Sequence, residues 1–253
     1  MLEFQPAVDL ATGRLLGFEA LLRWQHPKRG VVGPRVLIPW AEANGTIDAL
    51  NHWVMVEAAR QATAWPSGIQ LAVNCSVVQL RHRHASWSAR EALEVTGLNP
   101  DRLTLEVTES AMADPGAHAD LHQLASVGIH LAVDDVGTSW STLENLQRFS
   151  IETAKIDRSF IGALEPTEGM NRAIVEAIIH VSHSMARSTV AEGVETVQQV
   201  QILREFGADV AQGYFFARPL PVGETLALAL QEPRACFALG PGVADGSALA
   251  APA

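Results

Sequence analysis

Two carboxylates stand side by side at the end of an apolar run. Ile129-His130-Leu131-Ala132-Val133 leads into Asp134-Asp135 and then Val136-Gly137-Thr138. Neighbouring acids at the mouth of an apolar segment repel one another unless positive charge sits between them, and a divalent cation supplies it. The pair alone also fits a plainer role, capping the helix that follows. Other segments end in the same way: Glu19, Asn74, Glu106, Lys155 with Asp157, Glu192 and Gln212 each fall within or just after a short apolar stretch. Any one of them suits a helix cap or a satisfied polar group, but the whole series is hard to read as capping. If the chain brings these ends together, the bowl holds far more negative than positive charge and is destabilising without cations. Its donors are all oxygen, with no His or Cys, which argues against zinc and for Mg²⁺ or Mn²⁺. Two such ions about 4 Å apart suit phosphate-ester hydrolysis. Lys155 then places a positive, proton-handling group near the attacking water.

The elements that must position these residues alternate. Glu3–Asp9 and Leu15–Leu22 read as strands joined by Ala11-Thr12-Gly13-Arg14, too short a link for a parallel crossover, so they form an antiparallel hairpin. Helical stretches follow over Pro34–Ala43 and Asp48–Trp65, then strand Gln70–Asn74 and one long helix ending near Gly97. Strands over Leu103–Thr108, Ile129–Asp135, Thr153–Asp157, Ser188–Glu192 and Val210–Phe215 alternate with helices over His118–Ser126, Ser141–Phe149, Asn171–Ala186, Val197–Phe206 and Glu224–Gln231. Eight strands, the later ones separated by helices, predict a parallel sheet covered by helices and closed into a TIM-like barrel. An open doubly wound sheet is the alternative. In a barrel, function gathers at the carboxyl ends of the strands, where the residues above lie. Residues 1–232 form this domain, and 233–253, ending Gly-Ser-Ala-Leu-Ala-Ala-Pro-Ala, read as a flexible tail.

Composition narrows the function classes. With 253 residues and 48% hydrophobic content the chain can bury one large core, and its net charge of −10 excludes a sequence-blind grip on a nucleic acid polymer. Cys75 and Cys236 have no metal or redox spacing, so a reduced, cytoplasmic setting is expected. No apolar run approaches the roughly 20 residues of a membrane span.

Several segments carry a resemblance: Gly17-Phe18-Glu19-Ala20-Leu21-Leu22-Arg23-Trp24, Val73-Asn74-Cys75-Ser76, Leu105-Glu106-Val107-Thr108-Glu109-Ser110, Asp134-Asp135-Val136-Gly137-Thr138, Lys155-Ile156-Asp157-Arg158-Ser159-Phe160, Ala191-Glu192-Gly193-Val194-Glu195-Thr196 and Gln212-Gly213-Tyr214. In this order, from about Glu3 to Gln231, they resemble the EAL-domain family of cyclic-di-GMP phosphodiesterases. The resemblance implies a modified (β/α)₈ barrel with an antiparallel first strand, and hydrolysis of cyclic-di-GMP to linear pGpG with two Mg²⁺ or Mn²⁺ ions. It implies that Glu19, Asn74, Glu106 and Asp134 hold one metal, and that Asp134 bridges to a second completed by Asp135 and Glu192. Lys155 then sits beside the nucleophilic water, and Arg23, Glu195, Gln212 and Gln5 bind or orient the dinucleotide. Glu109 anchors the loop after Asp135, which links metal binding to a homodimer interface. An upstream sensor or GGDEF domain is an expected partner. A receptor module that binds the same dinucleotide with little turnover is the rival reading.

The chain departs from the pattern in two places. The family usually reads Asp-Asp-Phe-Gly-Thr-Gly-Tyr-Ser-Ser; here Val136, Ser139 and Trp140 differ. The family also has a helix before its first strand, so an N-terminal portion is expected beyond this sequence. His82 with His84 and His180 with His183 have metal-like spacings but read as surface positions on helices, and Trp24, Trp53 and Trp65 are expected to pack on the barrel exterior.

Overall fold

The computed structural model describes residues 1–137, 149–164, 169–231 and 235–240. Eight strands close into a barrel: β1 (Leu2–Asp9), β2 (Leu15–Leu22), then, after a small hairpin of β3 (Trp24–His26) and β4 (Gly30–Val32), β5 (Gln70–Cys75), β6 (Leu103–Thr108), β7 (His130–Val136), β8 (Thr153–Ile156), β9 (Ser188–Ala191) and β10 (Val210–Gln212). β1 runs antiparallel to β2 and also to β10, and every other barrel pairing is parallel. The β1–β10 pairing closes the ring and excludes the open sheet. A two-residue strand, β11 (Leu220–Pro221), adds to β1.

Helices cover the outside: α1 (Pro34–Ala43), α2 (Ile47–Ala62), α3 (Val77–Arg81), α4 (His84–Thr96), α5 (Glu109–Met112), α6 (His118–Val127), α7 (Arg158–Gly162), α8 (Met170–Ser184), α9 (Val197–Glu205) and α10 (Val222–Ala229). The helix expected over Ser141–Phe149 falls mostly outside the described residues. Alternation along β2 shows how the strands serve two cores. Phe18 turns outward onto Trp65, which also meets Phe4 edge-on, while Glu19 turns inward. Gly17 lets β5 come close, because a Cβ there would stand 2.6 Å from the Gln70 carbonyl oxygen.

Three expectations change. The long helix before Gly97 is two helices, broken at Arg83, whose φ of 59° is left-handed. Asp120, reaching across from α6, accepts hydrogen bonds from the Ala85 and Ser86 N–H groups and so caps α4 from a distance. Part of the expected tail is ordered: Leu15 N–H donates to the Ala235 carbonyl, Phe237 N–H donates to the Gly13 carbonyl, and Ala235, Phe237 and Leu239 are buried. Their alternate apolar spacing makes 235–240 a short extended cover on the β1–β2 turn rather than free chain. Trp65 packs as expected, whereas Trp24 and Trp53 are 40% and 44% exposed.

Candidate active site

The inward-facing residues at the carboxyl ends of the strands meet around one buried ammonium. Lys155 on β8 is 2% exposed, and its Nζ lies 2.6 Å from Glu192 Oε1, 2.7 Å from Glu106 Oε2, 3.7 Å from Asp134 Oδ1 and 3.8 Å from Glu19 Oε2. Strand register makes this arrangement. Gln5 faces Glu19, Ala7 faces Gln212, Asn74 lies beside Glu106, and Thr108 beside Asp134. Glu19 is held on both oxygens: Asn74 Nδ2 donates to Oε1 at 2.6 Å and Gln212 Nε2 to Oε2 at 2.6 Å. Gln212 also donates to Gln5 Oε1, and Gln5 Nε2 donates to the Ala217 carbonyl.

Four carboxylates and one ammonium cannot all be charged cheaply away from water. The protons distribute accordingly. Burial lowers the Lys155 pKa, but Glu106, Glu19, Glu192 and Asp134 more than reverse that and hold it well above the ordinary lysine value. Burial opposes ionisation of Glu19, yet Lys155 and the amides of Gln212 and Asn74 hold its pKa below normal. Glu106 goes the other way, raised well above the usual range by burial and then by Glu19. Burial, only partly offset by Lys155, drives Glu192 up to about 7.

Asp135 is separate from this cluster. Its backbone φ of 59° turns the chain sharply after Asp134, and its N–H donates to Asp134 Oδ1 at 3.0 Å. Its carboxyl is hydrogen-bonded to that of Asp157. Burial, Asp134 and Asp157 raise Asp135 to about 6, while the Ser159 hydroxyl and N–H outweigh burial and keep Asp157 low. Gly193, at φ 69°, permits the turn after Glu192, where a Cβ would meet the Arg158 Cβ at 2.6 Å.

Above the cluster opens a cleft of about 840 Å³. Gln5, Glu19, Asn74, Asp134, Asp135, Glu192, Glu195 and Gln212 line it, while Lys155 and Glu106 lie buried under its floor. Arg23 does not join them: its Nε donates to Glu3 Oε2 at 2.7 Å and its guanidinium to the Leu22 carbonyl, away from the cleft lining. Glu109 is 2% exposed at the start of α5, and most of the loop it was expected to anchor, including Ser139 and Trp140, lies outside the described residues. The structure adds residues that strand-end reading missed. Arg35 on α1, Arg158 on α7 and Tyr214 beyond β10 line the cleft, and Glu42 there accepts a 2.6 Å hydrogen bond from the Ser76 hydroxyl. Arg35, Ile38 and Glu42 share one helix face, a pattern the sequence carries but strand ends do not reveal. His82 and His183 bind Asp48 and Asp209 respectively, as surface pairs.

A divalent cation suits this donor set. Acids outnumber the ammonium, burial holds the pKa of Glu106 and Glu192 above the ordinary carboxylate range, a shift that such an ion would relieve, and Glu106 Oε2 has no aligned hydrogen-bond donor despite its short distance to Lys155. Among the described residues, no three carboxylate, His or Cys groups stand already arranged to grip a metal, and Lys155 occupies the centre instead.

Comparison with known proteins adds independent findings. The EAL domain family model matches residues 1–219. A bifunctional diguanylate cyclase/cyclic di-GMP phosphodiesterase, MucR, from Pseudomonas aeruginosa is 40% identical over 233 residues, 90% of this chain and 34% of its own. A cyclic di-GMP phosphodiesterase of the same organism, NbdA, is 40% identical over 87% of this chain and 29% of its length. An uncharacterised signalling protein from Caulobacter vibrioides is 41% identical over 88% of this chain and 28% of its length. The chain therefore spans about a third or less of these relatives. Among solved structures, the phosphodiesterase of MucR in complex with c-di-GMP superposes with a TM-score of 0.84 at 37% identity, covering 89% of this chain and 93% of that one. The EAL enzyme Bd1971, bound to cAMP and cyclic-di-GMP, gives 0.84 at 31% identity over 90% and 64%.

Proposed function

The chain belongs to the EAL domain family, and from that premise we propose that it hydrolyses one phosphodiester bond of cyclic-di-GMP to linear pGpG, using two Mg²⁺ or Mn²⁺ ions. The observation that carries this reading is the buried Lys155 ringed by Glu19, Glu106, Asp134 and Glu192 beneath a cleft large enough for a dinucleotide. Glu19, Asn74, Glu106 and Asp134 would hold one ion, and Asp134, Asp135 and Glu192 the other. Bound there, the ions would supply positive charge to the phosphoryl oxygens and would make water at the site more acidic. Gln212 and Asn74 fix both oxygens of Glu19, so its orientation does not depend on the substrate. Lys155 directs its ammonium at the acids and steadies charge beside the attacked phosphorus, and its 2.6 Å contact with Glu192 Oε1 orients that acid. Gln5, Glu195 and Gln212 offer polar contacts along the cleft, and Arg35 and Arg158 bring positive charge toward phosphate. A homodimer, a cytoplasmic setting and an upstream sensor or GGDEF domain belong to the same proposal.

The departures from the family pattern at Val136, Ser139 and Trp140 keep a second reading in play: a receptor that binds the dinucleotide with little turnover. Incubation with cyclic-di-GMP and Mg²⁺, followed by separation of nucleotides, distinguishes the two. The hydrolase reading requires pGpG; bound, unchanged cyclic-di-GMP identifies the receptor.

A further inference from the structure

α1 carries three faces. Leu37 and Ala41 are buried, Arg35, Ile38 and Glu42 line the cleft, and Val36 and Trp40 project outward, 59% and 55% exposed. Trp40 is stacked with Trp24 of β3, ring centroids 6.3 Å apart, and Trp24 in turn meets His26 at 4.6 Å. An apolar patch of two exposed tryptophans and a valine is uncommon on a protein surface. Its charge is just as distinctive. This acidic chain, net −10, has no Asp or Glu from Ala20 to Ala41, yet Arg23, Lys28, Arg29 and Arg35 lie there. Arg23 is taken by Glu3 and Arg35 lines the cleft, while Lys28 and Arg29 form no salt bridge among the described residues. Exposed tryptophan beside unpaired Lys and Arg is the chemistry of an anionic lipid headgroup layer, where indole settles at the interface and cations meet lipid charge.

We infer that the β3–β4 hairpin and the outward face of α1 dock the protein on an anionic membrane surface. The acidic charge of the molecule as a whole favours approach by this face, and α1 then points its Arg35–Ile38–Glu42 face away from the lipid. The cleft stays open to dissolved substrate. Apolar insertion and charge attraction are two weak signals that together give reversible binding.

Co-sedimentation of the full chain with phosphatidylcholine vesicles, with and without about a third phosphatidylglycerol, tests this. The parent should bind only the anionic vesicles, and binding should collapse between about 0.1 M and about 0.5 M salt. Lys28→Glu with Arg29→Glu should cut partitioning by about 20-fold or more, since each cation is worth about fivefold. Trp40→Ser should cut it about tenfold with an unchanged thermal midpoint. No binding to anionic vesicles, equal binding to neutral ones, or binding untouched by either variant overturns the inference. So does a parent dimer that Trp40→Ser converts to monomer, because a second copy would then be the patch's occupant. The charge-reversal pair sits on an exposed turn and keeps the test decisive if Trp40→Ser misfolds.

Discussion

Lys155 is the residue on which the site balances. It is the ammonium shared by four acids, so its loss and the loss of one acid should move stability in opposite directions. In metal-free buffer near neutral pH, Lys155→Ala should lower the thermal midpoint and Glu106→Gln should raise it, as thermal unfolding monitored by circular dichroism will report. Both should lack activity, and Glu19→Ala and Asp134→Asn, like Lys155→Ala, should each cut turnover by a factor of about 100 or more in a pGpG assay. The proton balance sets a pH dependence as well. Glu192 and Asp135 have folded pKa values raised to about 7 and about 6, so the folded state keeps protons that the unfolded chain has already lost. Their contribution is therefore complete at low pH and lost as pH rises through that range. Lys155, Glu19 and Asp157 shift outside this window and leave the trend alone. Metal-free midpoints should fall from about pH 5 to about pH 7.5, and added Mg²⁺ should raise them more at the upper end. A flat or rising profile would contradict the charge assignment. The acids and amides were legible because each follows an apolar strand. What Arg23 touches was not legible, because its position in the motif does not reveal that Glu3, on the neighbouring strand, takes its guanidinium.

Among the elements, strands were easier to read than helix ends. Strand positions follow from short apolar runs, and the antiparallel opening follows from a four-residue link that cannot make a crossover. The break at Arg83 was hidden because what ends one helix and starts the next is Asp120, far away in sequence. Asp120→Ala should strand the Ala85 and Ser86 N–H groups and cost about 1–3 kcal/mol in urea unfolding, without changing the substrate affinity of the folded chain. The cover over 235–240 was hidden for a different reason: its apolar residues sit within a Gly/Pro-rich composition that reads as tail. Phe237 packs edge-on against Phe216 and is 7% exposed. Phe237→Ala should cost about 3 kcal/mol or more, measured the same way, and a change of a few tenths would mean that the segment does not support the barrel.

For the whole molecule, closure is what gives the site meaning. β1 pairs with β10 and brings Gln212 back to Glu19 across 193 residues of sequence, which no local pattern displays. The eight-strand count and the family resemblance made that closure predictable; the small exposed β3–β4 hairpin and its tryptophan face were not foreseen, because Trp24 was expected to pack on the barrel exterior rather than to face solvent. An all-oxygen site also sets ion preference. Mg²⁺ and Mn²⁺ should support turnover, while Ca²⁺, larger and looser in coordination, should bind and stall it. The most direct test of the central claim is product formation from cyclic-di-GMP in Mg²⁺ by the parent chain beside Glu19→Ala at equal concentration. The account predicts linear pGpG from the parent and at most about one hundredth of that rate from the variant. No pGpG from the parent, or equal rates from both, would contradict it.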